Sequence, residues 1–331
     1  MSKQHSLAGN FRRSTLICMI SLILLLLLLG ACASVQEPGT GAPTQIIELP
    51  RTKTPGAPPT TQPAPDFNQA GEAPSTDIST PTATALPDLR PRPESWQYWP
   101  ILPDLAPEMM AIYRKGQSLG RDPHVFSVIG DCQSSPTYFL SIYDEGRYSL
   151  TQDQVHLQET IDWYAGSFEH RSITVKNGLT APGALNPRWN DPEICGKTET
   201  PVACEIRLNN PSIVLISLGT NWHPSSSPED YRNYLQQIID ILLENGVIPI
   251  LSTKADNMEG DHSRNLAMAQ AAYDNHLPLW NFWAAVKHLP NMGLDKNRDD
   301  EYLRSEGWDV RNLSALEVLD QVHRQLLELD D

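Results

Sequence analysis

Positive charge is scarce in this chain. Its 25 lysines and arginines face 40 aspartates and glutamates, which gives a formal net charge of -15 over 331 residues. A nucleic-acid-binding surface needs clustered positive side chains to neutralise phosphates, and no such cluster is visible in the sequence. We therefore expect no nucleic-acid partner.

Metal ligands at ligand spacing and phosphate-binding glycine loops are also lacking. The sequence has 9 histidines, but none lies at ligand spacing from the cysteines, which argues against a metal site. The segment Gly-Asp-Cys-Gln-Ser at 130–134 does not have the pattern of a loop that holds phosphates. The sequence predicts no metal and no cofactor.

No apolar run reaches the roughly 20 residues that cross a bilayer. The run Leu16 to Leu29 follows three positive side chains and precedes Gly30-Ala31-Cys32, which is the organisation of an export signal. Leu29 to Cys32 resembles the lipobox of bacterial lipoproteins, in which cleavage precedes the cysteine and that cysteine is diacylated. Residues 1–32 thus predict a signal peptide and a chain anchored outside a bacterial membrane through Cys32. A plain secretory signal and an uncleaved anchor are the alternatives.

Residues 33–100 lack apolar periodicity and are dominated by Pro, Thr, Ala and Gly. Such a stretch cannot bury enough surface to offset the entropy of ordering it. It predicts a disordered tether, with a small proline-rich fold as the alternative. Aromatic residues begin at Trp96, Tyr98 and Trp99, which mark the expected boundary to a domain at 101–331.

Predicted strands and helices alternate after this boundary. The pattern predicts strands over 124–129, 172–175, 213–218, 247–251 and 277–280, and helices over 107–117, 154–168, 228–243, 265–273 and 313–329. This alternation favours a parallel sheet covered on both faces. Sites in such sheets form at the carboxyl ends of the strands.

Two polar segments follow predicted strands, Gly130-Asp131-Cys132 and Gly219-Thr220-Asn221. Their order and positions resemble the first and third signature blocks of the SGNH, or GDSL, hydrolase family, with Cys132 in place of the serine nucleophile. The resemblance covers nearly all of residues 120–325. It implies a flavodoxin-like three-layer α/β/α sandwich with a parallel sheet, and hydrolysis of an ester of a glycan or lipid.

The resemblance also implies donors for the oxyanion of acyl transfer. The segment 175–183 resembles the second block, in which Gly183 fits the family glycine best and Gly178 is the alternative. Asn221 matches the asparagine that donates its side-chain amide. One preorganised donor of this kind stabilises the transition state by about 3 to 4 kcal/mol.

The fourth block departs from the family. Asp299 and Tyr302 take the positions of the acid and the histidine, followed by Leu303 and Gly307 in the family frame. A second register over 306–309 also lacks a histidine. The imidazole is the base that takes the nucleophile's proton, and a tyrosine with an ordinary pKa of about 10 is a poor substitute.

The sequence offers other candidates for a substitute base or nucleophile. His223 lies two residues after Asn221, and Lys254 follows the next predicted strand; either is a candidate to activate the thiol. An ordinary loop histidine and a solvated lysine are the alternatives. Ser134 is a candidate for a displaced nucleophile, or else a turn residue.

The remaining cysteines predict a disulfide. In an exported chain, Cys195 and Cys204 lie in one loop-rich stretch and are the expected pair, which leaves Cys132 as the odd thiol.

Two functional hypotheses follow. The protein is either an ester hydrolase acting through Cys132, or an inactive relative that binds a glycan or acylated ligand. We expect it to be a monomer. Trp189, Trp222 and Trp308 are candidates to stack on sugar rings.

Overall fold

The computed structural model describes residues 90–223, 225–299 and 301–330. The predicted signal peptide, the predicted lipobox with Cys32 and nearly all of the proline-rich segment lie outside the described residues. The described residues belong to one compact unit. Within the described ranges, no helix combines the length and apolarity needed to cross a bilayer.

A parallel sheet forms the centre of this unit. In the described part of the chain its strands lie side by side in chain order: β1 (Asp122–Gly130), β2 (Pro211–Ser217), β3 (Ile248–Ser252) and β4 (Leu279–Trp280). Strands β2 and β3 are almost entirely buried, because helices cover both faces of the sheet and continuous apolar runs fit that environment.

Helices pack in two groups, as the α/β/α prediction requires. Their bounds are α1 (Glu108–Ser118), α2 (Leu157–Trp163), α3 (Ala181–Ala184), α4 (Pro201–Asn209), α5 (Pro228–Glu244), α6 (Ser263–Asp274), α7 (Phe282–Val286) and α8 (Ser305–Asp330). Helices α1, α2 and α7 contact α8, whereas α3, α4 and α6 contact α5. The predicted α/β class with a parallel sheet is confirmed.

Helix α5 shows how local sequence fixes an element. Ser227 caps its first turn by accepting the N–H of Asp230 at 3.0 Å, and Pro228 occupies a first-turn position that needs no N–H donor. Tyr231, Leu235 and Ile238 are buried along one face. The helix ends before Gly246, whose positive φ of 69° suits the turn into β3.

The predicted strand at 172–175 is wrong as a strand. It is reduced to one parallel bridge between Val175 and Gly130, on the free edge of β1. The reason is that side chains replace part of the backbone ladder: the Thr174 hydroxyl donates to Val128 O at 2.8 Å, and the Ser172 and Thr174 hydroxyls bond each other at 2.6 Å.

Two predicted helices also differ. The helix expected over 154–168 is divided into a 3-10 turn, Gln152–Gln154, and the shorter α2. Helix α8 begins at Ser305 instead of 313. Its first two turns contain Gly307 and the buried polar residues Arg311 and Asn312, which hide the apolar periodicity on which the prediction depended.

The aromatic residues at the expected boundary belong to the folded unit. Trp96 lies in a 3-10 helix, Pro93–Tyr98, and is 4% exposed. Its ring packs edge-on against Trp283, with centroids 5.2 Å apart. The Asn281 amide donates to Trp96 O at 2.8 Å, which ties this segment to the start of α7.

Candidate functional site

The first polar block forms a tight turn at the carboxyl end of β1. A 3-10 turn, Cys132–Ser134, begins directly after Asp131, whose carboxylate accepts the N–H of Gln133 at 2.9 Å. A Cβ on Gly130 would lie 2.2 Å from Ser134 Oγ, so only glycine fits there. The turn presents Cys132, the free cysteine of the described residues, in a half-buried position.

Tyr302 reaches Cys132. Its side chain lies beside the cysteine sulfur, close enough for each group to shift the pKa of the other. Gln133 holds the segment in place: its amide donates to Glu301 O at 3.1 Å and accepts from Leu303 N at 3.4 Å. Of the two possible registers of the fourth block, the one with Tyr302 in the histidine position therefore brings that residue to the thiol. Residues 306–309, the second register, lie in α8.

Both members of this pair favour their protonated forms. Burial, followed by the charge of Asp131, raises the pKa of the Cys132 thiol, and the Tyr302 hydrogen bond offsets this only in part. The pKa of Tyr302 is raised by the neighbouring Cys132, by burial and by Glu301. A thiol and a phenol in this state provide neither a thiolate nor a base near neutral pH.

Asp299 does not act as the acid of a triad in this structure. It is exposed, has a left-handed φ of 55° and ends the 3-10 helix Lys296–Arg298. The Tyr302 ring is instead covered by the Arg298 guanidinium, 3.6 Å from the ring centroid. The acid position is thus turned to solvent, where it cannot orient a base at residue 302.

The two expected oxyanion donors make other hydrogen bonds. The Asn221 amide donates to Asp131 Oδ2 at 3.0 Å, so it lies beside the turn but is tied to a carboxylate. The Gly183 N–H donates to Thr180 Oγ1 at 3.2 Å as part of the cap of α3. Gly178, the alternative, has a positive φ of 72°. It follows Asn177, which lines the same cavity as Cys132.

The candidate substitute groups are occupied elsewhere. The exposed His223 accepts the N–H of Ser225 at 3.2 Å within its own turn. Lys254 is buried, with its ammonium 2.5 Å from Asp256 Oδ1 and 2.6 Å from Glu259 Oε2. Ser134 is buried and accepts a hydrogen bond from Arg311 at 3.2 Å, so it is a structural residue of the turn.

Arg311 is a residue of the site that no sequence motif predicted, and it holds the turn through hydrogen bonds. It is 4% exposed and donates to Gln133 O at 2.5 Å and to Ser217 Oγ at 2.9 Å. Burial lowers its pKa to about 10, while Asp131 and Cys132 favour its charged form. Its place on the inner face of α8 could have been predicted from helical spacing. Arg311 lies four and seven residues before Ala315 and Val318, which are both apolar and fully buried.

Two cavities flank the turn. The first, which we name the inner cavity, measures about 30 Å³; the polar groups that line it include Asp131, Thr220, Lys254, Asp256, Glu301 and Arg311. The second, the thiol cavity, measures about 210 Å³ and is lined by Cys132, Ser135, Pro136, Arg171, Ser172, Val175, Lys176 and Asn177. Cys132 thus opens into the larger space, while its neighbour Asp131 faces the smaller one.

The expected disulfide is present in the structure. Cys195 and Cys204 are joined with an S–S distance of 2.02 Å. The bond links the loop after the 3-10 helix Pro187–Trp189 to α4.

The chain has partial similarity to known proteins in sequence and in structure. No family model matches the chain. A stretch of 153 residues, 44% of the chain, is 29% identical to ABC transporter A family member 11 of Dictyostelium discoideum, and the chain spans only 16% of the length of that protein.

The solved structures to which the chain is similar include three hydrolases. They are the esterase EstA from Pseudoalteromonas sp. (14% identity, 61% of this chain and 99% of that one, TM-score 0.42), a lipase/acylhydrolase from Enterococcus faecalis (16%, 60% and 95%, TM-score 0.39) and a GDSL-like lipase from Bacteroides thetaiotaomicron (11%, 65% and 99%, TM-score 0.40).

Proposed function

We propose that this chain is a membrane-tethered SGNH-like protein that binds a glycan or acylated ligand at the Cys132 site without turning it over. The observation that carries the proposal is the contact between Cys132 and Tyr302. A hydrolase of this type needs an imidazole that accepts the nucleophile's proton. Here a phenol lies beside the sulfur instead, and the pKa of each group is raised.

The state of the oxyanion donors supports the same proposal. The Asn221 amide and the Gly183 N–H donate to Asp131 and Thr180. Stabilisation of an oxyanion requires donors aimed at the developing charge. A site whose expected donors are held by protein oxygens retains a cavity for a ligand but lacks this stabilisation.

A second candidate is an ester hydrolase with a cysteine nucleophile. The turn that presents Cys132 favours it, because Gly130 packs against Ser134 and the Asp131 cap fixes the turn at the end of β1. Such a geometry exposes a nucleophile to a ligand in the thiol cavity. The two candidates differ in whether the thiol is acylated and released repeatedly.

Turnover of p-nitrophenyl acetate by the full chain in detergent separates the two candidates. We expect at most one equivalent of p-nitrophenol per thiol, with no steady-state rate above that of Cys132→Ser. Multiple turnovers that iodoacetamide abolishes would instead establish the cysteine hydrolase. The double variant Cys132→Ser with Tyr302→His restores a nucleophile and a base, and should exceed the matched control Cys132→Ser with Tyr302→Phe.

The membrane tether is proposed from Cys32 and the apolar run before it. Lipidation of this cysteine would place the folded unit on the outer side of a bacterial membrane, at the end of a long proline-rich segment. Cys32→Ala should move the protein from the membrane fraction to the soluble fraction, as fractionation and immunoblotting would show. Unchanged membrane retention would contradict lipidation at this residue.

A further inference from the structure

We propose that the ligand of the Cys132 site carries an anionic group, a carboxylate or a phosphate, which Arg171 and Lys176 bind. This inference rests on the proposed binding role of the site and adds the chemical class of its ligand. Both side chains line the thiol cavity together with Cys132, and no carboxylate lines it.

This cavity is lined by positive charge, although the chain as a whole is acidic. The protein as a whole has a formal net charge of -15, yet the two ionisable side chains that line this cavity beside the thiol are both positive. Arg171 is exposed and Lys176 is half-buried, and neither forms an ion pair with a carboxylate of the described residues. Two like charges at one cavity repel each other unless an anion lies between them.

The polar groups that accompany these cations are suited to an anion. The exposed Asn177 and the half-buried Ser135 line the same space and offer an amide and a hydroxyl donor. Arg171 offers several N–H donors in a planar fork that matches two oxygens of a carboxylate or phosphate. The cavity therefore provides positive charge and hydrogen-bond donors, both of which favour an anion.

The size of the cavity sets how much of a ligand it can hold. Its volume of about 210 Å³ is several times the roughly 30 Å³ that one water molecule occupies in the liquid. A carboxylate or phosphate with a few attached carbon atoms fits this space. The remainder of a glycan or acyl chain would extend toward solvent past the exposed Arg171.

The alkylation of Cys132 by two matched reagents tests the inference. Iodoacetate and iodoacetamide react alike: the thiolate sulfur bonds to the methylene carbon and iodide leaves. They differ in charge, so the ratio of their rate constants at Cys132 cancels the thiolate fraction and reports the electrostatic preference of the cavity. Mass spectrometry of the Cys132 peptide from the full chain measures both rates, with the chain in concentrated urea as the reference.

We expect the ratio of iodoacetate to iodoacetamide rates to fall about tenfold in Arg171→Gln with Lys176→Gln, as two nearby charges would produce at low salt. The control pair is Lys197→Gln with Lys287→Gln, two exposed lysines that line neither cavity. It makes the same change in net charge and should leave the ratio as in the parent chain. An equal ratio in the cavity variant and the parent would overturn the proposal.

Two further arms identify the anion. Acetate or inorganic phosphate is added at constant ionic strength, with chloride as the reference, while the iodoacetamide rate at Cys132 is followed. Slower alkylation with acetate assigns a carboxylate, and slower alkylation with phosphate assigns a phosphate; protection by neither contradicts the proposal. If the double variant fails to fold, its Cys132 rate will equal that in urea, and the two single variants then decide. Ester turnover would refute the binding role without changing the ratio.

Discussion

The two cavities beside Cys132 differ in whether their positively charged side chains have partners. In the inner cavity, each cation has partners: Lys254 bonds Asp256 and Glu259, and Arg311 bonds Gln133 and Ser217. In the thiol cavity, the cations have no carboxylate partner within the described ranges, and the space is seven times larger, about 210 Å³ against about 30 Å³. The first region is organised to hold the backbone of the site, and the second is available to a ligand.

Replacing Arg311 with Met should have the largest effect on the inner cavity. The change removes the hydrogen bonds to Gln133, Ser134 and Ser217, together with a buried positive charge that favours the ionised form of Asp131. Each buried acceptor left without its donor costs about 1 to 3 kcal/mol, and three acceptors are affected here. Urea unfolding followed by circular dichroism would measure the total loss.

The matched control for Arg311→Met is Arg304→Met. Arg304 bonds the exposed Glu306, and exposed pairs contribute about 0 to 1 kcal/mol. Equal losses of stability in the two variants would contradict the structural role of Arg311.

Replacing Gln133 with Ala should have the next largest effect. Its amide bonds both Glu301 and Leu303 and thereby holds Tyr302 against the thiol. We expect a loss of about 1 to 3 kcal/mol, since buried groups lose partners, and faster alkylation of Cys132 as the segment loosens. The control Gln237→Ala, on the exposed face of α5, should change neither quantity. Unaltered alkylation in Gln133→Ala would contradict the inference that Gln133 holds Tyr302 beside the thiol.

Replacing Tyr302 with Phe should move the titration of the thiol. The hydroxyl hydrogen bond lowers the pKa of Cys132, so its removal should raise that pKa further above the ordinary value. Only the thiolate is alkylated, so the pH profile of iodoacetamide alkylation should shift to higher pH. A shift to lower pH would show that Tyr302 does not donate to the sulfur.

Salt should have the smallest effect and should act on one cavity only. Charges at the exposed thiol cavity are screened by ions, whereas the buried pairs of the inner cavity are screened much less. Raising the ionic strength should lower the iodoacetate to iodoacetamide ratio by a few-fold and leave the free energy of unfolding nearly constant. A ratio that does not respond to salt would show that the cations do not act on the reagent.

Much of the fold follows from local patterns in the sequence. The runs that form β1, β2 and β3 and the capped start of α5 were found because apolar periodicity and capping are short-range properties. The strand at 172–175 and the start of α8 were not, because side-chain hydrogen bonds of Thr174 and the buried polar residues Arg311 and Asn312 depend on neighbours distant in sequence.

For the site, the sequence by itself determined which residues hold the family positions: Cys132 for the serine and Tyr302 for the histidine. The tertiary structure decided what they do together. It placed Tyr302 beside Cys132, left Asp299 exposed to solvent and bonded the Asn221 amide to Asp131. It also put Arg171 and Lys176 at one cavity with the thiol. Residue type fixes which groups can ionise or donate, whereas the pKa and the free donors depend on burial and on partners that only the folded chain brings together.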